Sequence, residues 1–236
     1  MTIRLTVVAG LALLAATSAE ATPARGHLSF VKPKQELVIL FSPHRAMSQP
    51  SLRSRRLVMV AARRPITEQR TVLPVLARKN GNGFRWLRVR LPGRPNGGTG
   101  WIVRKATVSW RTTWHLVVST SARRVAVYHY GRRVRIFKAV VGRPSTPTPP
   151  GEFFVEESIK LSSRAVGAPF ALALSARSTV FQEFAGGPGQ IAMHGLGNVG
   201  GTPGTAVSHG CVRLENGAMR WLVRRVGAGV PVTIAR

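Results

Sequence analysis

Cys211 is the only thiol of the 236-residue chain, and it stands in the run Ser208-His209-Gly210-Cys211-Val212-Arg213. Seventeen positions upstream lies His194-Gly195, and the connection carries Gly197, Gly200, Gly201 and Gly204. Two of the six histidines and the sole cysteine thus fall in one short stretch. A thiol attacks well only as its thiolate. A neighbouring imidazole can take the proton, and a nearby cation favours the anion. His194 suits the base and Arg213 the cation. An imidazole base needs a partner on its other ring nitrogen. The chain has no aspartate, so a Ser-His-Asp triad is excluded. That partner is a glutamate, an amide or a backbone carbonyl, and the Gly195 carbonyl is close in sequence. Backbone N–H groups around Gly210 and Cys211 suit an oxyanion hole, with Gly210 allowing a tight turn.

Other readings of the same residues are weaker. A lone cysteine is usually a small buried apolar group. This one has polar neighbours, and the N-terminal Arg4 and apolar stretch point to export, where an unpaired thiol is a liability unless it is used. His194, His209 and Cys211 lack the fourth ligand or second Cys/His pair of a zinc site, so no metal is expected. The eight glutamates are scattered, which disfavours calcium and two-metal sites. No Gly-Lys-Ser/Thr follows the glycine loop, so a phosphate cradle is not expected. Ser29-Phe30-Val31-Lys32 has a Ser-x-x-Lys spacing, but no Lys-Thr-Gly follows it.

The elements that must carry these groups read as mainly β. Short runs rich in Val, Ile, Trp and Phe alternate with Gly and Pro clusters. In the N-terminal half, candidate strands are Val58-Met59-Val60, Thr71-Val72-Leu73, Trp86-Leu87-Arg88-Val89 and Gly100-Trp101-Ile102-Val103. A turn-rich loop, residues 91–98, separates the last two. After a junction at 109–113, strands are expected at 114–120, 124–129, 133–141, 152–155, 170–174, 190–194 and 230–234. The turn Tyr130-Gly131-Arg132 makes the second and third a hairpin. One helix is expected at 216–226, where Met219, Leu222, Val223 and Val226 recur at helical spacing.

Residues 1–21 read as a cleaved export signal. Arg4 precedes an apolar stretch, and Ala19-Glu20-Ala21 is a small-x-small cleavage site. The apolar run is shorter than the roughly 20 residues of a membrane span, and no other segment is long enough. Thirty-five Lys and Arg against eight Glu give a formal charge of +27. That charge permits nucleic-acid binding. The arginines are spread without a recognition helix, and export separates the chain from nucleic acid. The expected partner is instead an anionic cell-wall polymer.

His-Gly, a glycine-rich loop, then Ser-His-Gly-Cys-Val-Arg-Leu resembles the signature of the L,D-transpeptidase catalytic domain family of YkuD type. Val140-Val141-Gly142, followed by Thr148-Pro149-Pro150-Gly151-Glu152-Phe153, resembles an early strand and turn of the same domain. The resemblance covers residues 113–236. The preceding module, residues 30–108, resembles a bacterial SH3-like β-barrel. The resemblance implies that Cys211 is the nucleophile, His194 the general acid/base, and Gly195 the carbonyl orienting it. His209 would support the site, Gly210 shape the oxyanion turn, and Arg213 with Ser208 contact substrate. It implies acyl transfer on peptidoglycan stem peptides, with release of D-Ala and no cofactor. Water in place of the acceptor amine would make the same site an L,D-carboxypeptidase or endopeptidase. A basic wall-binding protein is the reading without catalysis. Oligomeric state is not legible.

Overall fold

The computed structural model describes residues 31–183 and 186–236, which form one compact unit. The export signal expected at 1–21 lies outside the described residues. Seven strands come first: β1 (Gln35–Leu40), β2 (His44–Met47), β3 (Arg56–Val60), β4 (Val72–Gly81), β5 (Phe84–Arg90), β6 (Thr99–Val103) and β7 (Thr107–Thr112). They form one antiparallel sheet in the order β3-β2-β6-β5-β4-β1-β7. Strand β7 runs through most of the expected junction, because Ser109 to Thr112 pair with Gln35 to Val38 on β1.

Ten strands and one helix follow. They are β8 (Trp114–Ser119), β9 (Arg124–His129), β10 (Arg132–Lys138), β11 (Val141–Gly142), β12 (Gly151–Lys160), β13 (Phe170–Arg177), β14 (Gln190–His194), β15 (Ala206–Ser208), β16 (Val212–Arg213), α1 (Asn216–Val223) and β17 (Pro231–Ala235). Eight strands build a second sheet, β10-β9-β8-β17-β12-β13-β14-β16, while β11 and β15 pair separately. The β9–β10 hairpin turns at Tyr130 and Gly131, with φ of 50° and 76°. Positive φ at both central residues matches the right-handed twist of the flanking strands.

Strand β12 joins the two halves. Successive side chains on a strand point to opposite faces. Phe153 therefore enters the core of the second sheet, with Leu116, Leu172 and Met219, while Phe154 enters that of the first, with Leu73, Leu87 and Ile102. The pairing of β12 with β13 shifts register between Val155 and Glu157. Such a bulge re-aims side chains. The consecutive glutamates Glu156 and Glu157 both reach the first half and are both buried. Glu156 pairs with Arg64 and, at 3.1 Å, with Arg177. Glu157 accepts from Thr67 N–H and Oγ, each at 2.8 Å.

Helix α1 covers the second core with Met219 and Leu222 buried. It ends at Val223, one turn before the expected limit, and Val226 stays in the core from the following turn. No helix among the described residues is long and apolar enough to cross a membrane.

Candidate active site

Parallel strands β14 and β16 lie side by side, with Met193 opposite Val212 and His194 opposite Arg213. His194 ends β14, and Cys211 immediately precedes β16, level with Ala192 two residues earlier on the neighbouring strand. A cavity of about 270 Å³ opens over this edge, lined by His194, His209, Cys211 and Arg213 together with Phe181 and Ile191.

The imidazole is held from its Nδ1 side. His194 Nδ1 lies 2.8 Å from the Gly195 carbonyl oxygen. A carbonyl only accepts, so Nδ1 carries the proton and Nε2 keeps its lone pair. The turn is fixed around it: Gly195 N–H donates to Gly167 O at 2.9 Å, and Leu196 N–H to Asn216 Oδ1 at 2.9 Å. A Cβ at Gly195 would run into the Ala168 carbonyl and stand 2.7 Å from Asn216 Oδ1. Glycine is needed there for space as well as for its carbonyl. Gly167, at φ +86°, lies against the ring, and a Cβ would come within 2.6 Å of His194 Nδ1.

Gly210, at φ +117°, takes the left-handed turn before Cys211. Its N–H donates to Ser208 Oγ at 3.1 Å. Ser208 Oγ in turn donates to the Cys211 carbonyl at 2.6 Å. Ser208 is fully buried and outside the cavity lining, so the expected substrate contact is corrected: this hydroxyl ties the cysteine loop to itself. The proline-rich segment before β12 supports the same loop. Thr148 Oγ donates to the Gly210 carbonyl at 2.8 Å and accepts from Gly142 N–H at 2.9 Å. Thr146 Oγ donates to the Ser208 carbonyl at 3.2 Å.

Arg213 lines the cavity, and its guanidinium donates to the Gly200 carbonyl of the glycine-rich connection. His209 is exposed at the rim, its ring 6.2 Å from that of Phe181. Cys211 Sγ accepts from Ala192 N–H at 3.4 Å.

Burial governs both titrating groups. It pushes the Cys211 thiol above its ordinary value; the Ala192 N–H and the positive charge of Arg213 pull the other way and are outweighed. Burial also holds His194 below the ordinary imidazole value, opposed by the bond to Gly195 and reinforced by Arg213. Arg213 thus acts on the thiol in the expected direction without making a resting thiolate. The free site holds a neutral thiol and a neutral imidazole at neutral pH.

Sequence reasoning missed Asn216, Thr146 and Thr148, whose side chains hold the two loops. Asn216 opens a helix whose preceding residue, Glu215, makes no side-chain cap. An amide in that place, with no capping duty to do, was the available signal.

A mainly β chain, with a histidine ending one strand and a cysteine just before its neighbour, both lining one cavity, defines the class to which the comparisons then give a name. The family model described as the L,D-transpeptidase catalytic domain, YkuD, matches residues 113–234, over half of the chain, and the chain belongs to this family. L,D-transpeptidase 1 of Mycobacterium tuberculosis (strain ATCC 25618 / H37Rv) is 29% identical over 130 residues, covering 50% of this chain and 49% of that protein. Putative L,D-transpeptidase YkuD of Bacillus subtilis (strain 168) is 30% identical over 126 residues, covering 52% and 66%. The chain thus spans about half the length of the mycobacterial relative. Among solved structures, L,D-transpeptidase 3 from Mycobacterium tuberculosis with a faropenem-derived adduct is similar at 14% identity and a TM-score of 0.45, covering 84% of this chain and 97% of that one.

Proposed function

We propose that this chain is an exported, cysteine-dependent L,D-transpeptidase that cross-links peptidoglycan stem peptides. The observation that carries the reading is the His194 Nδ1–Gly195 carbonyl bond at the cavity that also holds Cys211. It leaves Nε2 as a base without any carboxylate. Cys211 Sγ attacks the carbonyl of the third stem residue while His194 Nε2 takes the thiol proton. The Cys211 N–H stabilises the oxyanion, since that of Gly210 is engaged by Ser208. Collapse expels D-Ala, whose amine receives the proton from His194, and leaves a thioester. A side-chain amine of a second stem attacks the thioester, gives its proton to His194, and frees Cys211.

The N-terminal sheet is read as an SH3-like module. The leader at 1–21 and the formal charge of +27 support work outside the cytoplasm, against anionic wall polymers. Salt-sensitive adsorption to isolated cell wall, unchanged in Cys211→Ala, is expected.

The deciding experiment incubates the protein with tetrapeptide-stem muropeptides and weighs the products. Cross-linked dimers with loss of D-Ala are expected, and none with Cys211→Ala. D-Ala release without dimers would assign hydrolysis instead. Normal dimer formation by Cys211→Ala would overturn the mechanism. A carbapenem-type β-lactam is expected to add its mass at Cys211 alone.

A further inference from the structure

Part of the cavity lining comes from residues outside the sheets, between β13 and β14. Strands β13 and β14 are paired up to Arg177 and Gln190, and the chain between them contributes Ser178, Phe181 and Gly189 to the lining. Its start and end are tied to each other by the Ser178 N–H to Gly189 carbonyl bond, and they are tied again from the other half of the molecule. The loop between β5 and β6 places the Arg94 guanidinium among three of its carbonyls. Nη1 donates to Pro188 at 2.9 Å, and Nη2 to Ser178 at 2.9 Å and Phe181 at 2.8 Å. Two residues on, the Asn96 side chain donates to the Arg177 carbonyl and accepts from the Arg177 N–H, both at 2.8 Å. A single planar fork thus spans both ends of the wall, a task suited to arginine rather than lysine.

The packing leaves little slack. Gly189 sits at φ +62° and its carbonyl accepts from Ser178 N–H at 2.7 Å. A Cβ there would run into the Phe181 carbonyl and lie 3.3 Å from Arg94 Nη2. The clamp also works against a like charge: burial chiefly lowers the titration of Arg177, and the neighbouring charge of Arg94 lowers it further. Three bonds to one wall, made despite that repulsion, mark a group whose value is geometric.

We infer that Arg94 is a positioning residue for the catalytic cleft: from the N-terminal sheet it fixes the Ser178–Phe181–Gly189 wall against which the donor stem must lie. The cleft is therefore a joint product of both halves. This rests on the transpeptidase reading for its catalytic consequence, but not for its structural one. Arg94 touches neither Sγ nor the imidazole, so its loss should leave the thiol's own reactivity alone and weaken substrate placement.

The test compares the full-length wild type with Arg94→Ala and Arg94→Lys. Backbone hydrogen exchange of residues 178–191 is measured first, with β8 and β9 as the internal reference. Arg94→Ala should exchange at least about tenfold faster in that segment only, and Arg94→Lys should fall between. Iodoacetamide alkylation of Cys211 should match the wild type. With muropeptide, kcat/KM should fall by roughly 10- to 100-fold, mostly through KM. Unchanged exchange, or unchanged KM in a variant whose wall has loosened, overturns the inference. A wild type inert toward muropeptide defeats the transpeptidase reading alone, because the exchange measurement still decides whether Arg94 holds the wall.

Discussion

At Cys211 and His194 burial sets the chemistry more than charge does. The thiol is raised and the imidazole lowered, so proton transfer belongs to the attack rather than to the resting enzyme. Alkylation of Cys211 by iodoacetamide is expected to climb steadily between about pH 5 and pH 8. A plateau reached by neutral pH would show a preformed thiolate and contradict this. Because the base must be neutral, turnover should persist below the ordinary imidazole pKa of about 6.5 and fall only as His194 itself protonates. His115 is a second buried imidazole, on β8 far from the cavity in sequence, bonded to Thr233 Oγ at 2.9 Å. Burial lowers it to about 4. The unfolded chain then binds the extra proton first. The stability this group contributes is complete above pH ~6.5 and is lost as pH falls through about 4. The difference amounts to up to about 3 kcal/mol. His115→Gln should flatten that part of the acid limb in urea titrations at neutral and acidic pH; an unaltered slope would refute it. Gly195→Ala should cost turnover about 100-fold, since the new methyl displaces the carbonyl that orients His194.

Strands and loops show where sequence was informative. Hairpin β9–β10 and strand β14 were legible because alternating β-formers end in clear turn residues, and the C-terminal helix because Met219 and Leu222 recur on one face. Strands β1, β2 and β7 were not. Trp110 and Val108 on β7 are exposed, so that strand carries no buried–exposed alternation to read. Strands β11 and β16 have two residues each, and only their partners define them. That His194 and Cys211 meet at one cavity was legible from residue type and spacing. Their supports were not, since a hydroxyl such as Thr148 looks like any turn residue until the Gly210 carbonyl is found above it. Thr148→Val removes the donor to Gly210 and the acceptor for Gly142 together. We expect a loss of about 1–3 kcal/mol in denaturant unfolding, with slower alkylation or acylation at Cys211. Wild-type behaviour in both measurements would show that the proline-rich segment does not hold the cysteine loop.

Across the whole molecule, the two sheets are bound by more than a linker. Phe154 gives the second sheet's central strand a place in the first sheet's core. Beside it Glu156, fully buried, faces Arg64 from the first half and Arg177 from its own. These contacts are ion pairs by distance, and neither Glu156 oxygen has good hydrogen-bond angles. They are consequently a poor source of net stability, while breaking them is expensive, because the desolvated Arg177 would lose its counter-charge and Arg64 would keep only Glu157, at 3.9 Å. Arg177, held near a pKa of about 10 chiefly by burial, remains charged at neutral pH and cannot escape by deprotonating. Glu156→Gln keeps the shape and removes the charge. It should lower unfolding free energy by roughly 3–5 kcal/mol, with little dependence on salt because the pair is buried. The wild type should unfold in one transition seen alike by Trp86 in the first sheet and Trp221 on the helix. Two separated transitions in the wild type would show that the halves are independent, and a Glu156→Gln midpoint equal to the wild type would show that the buried pairs do not join them.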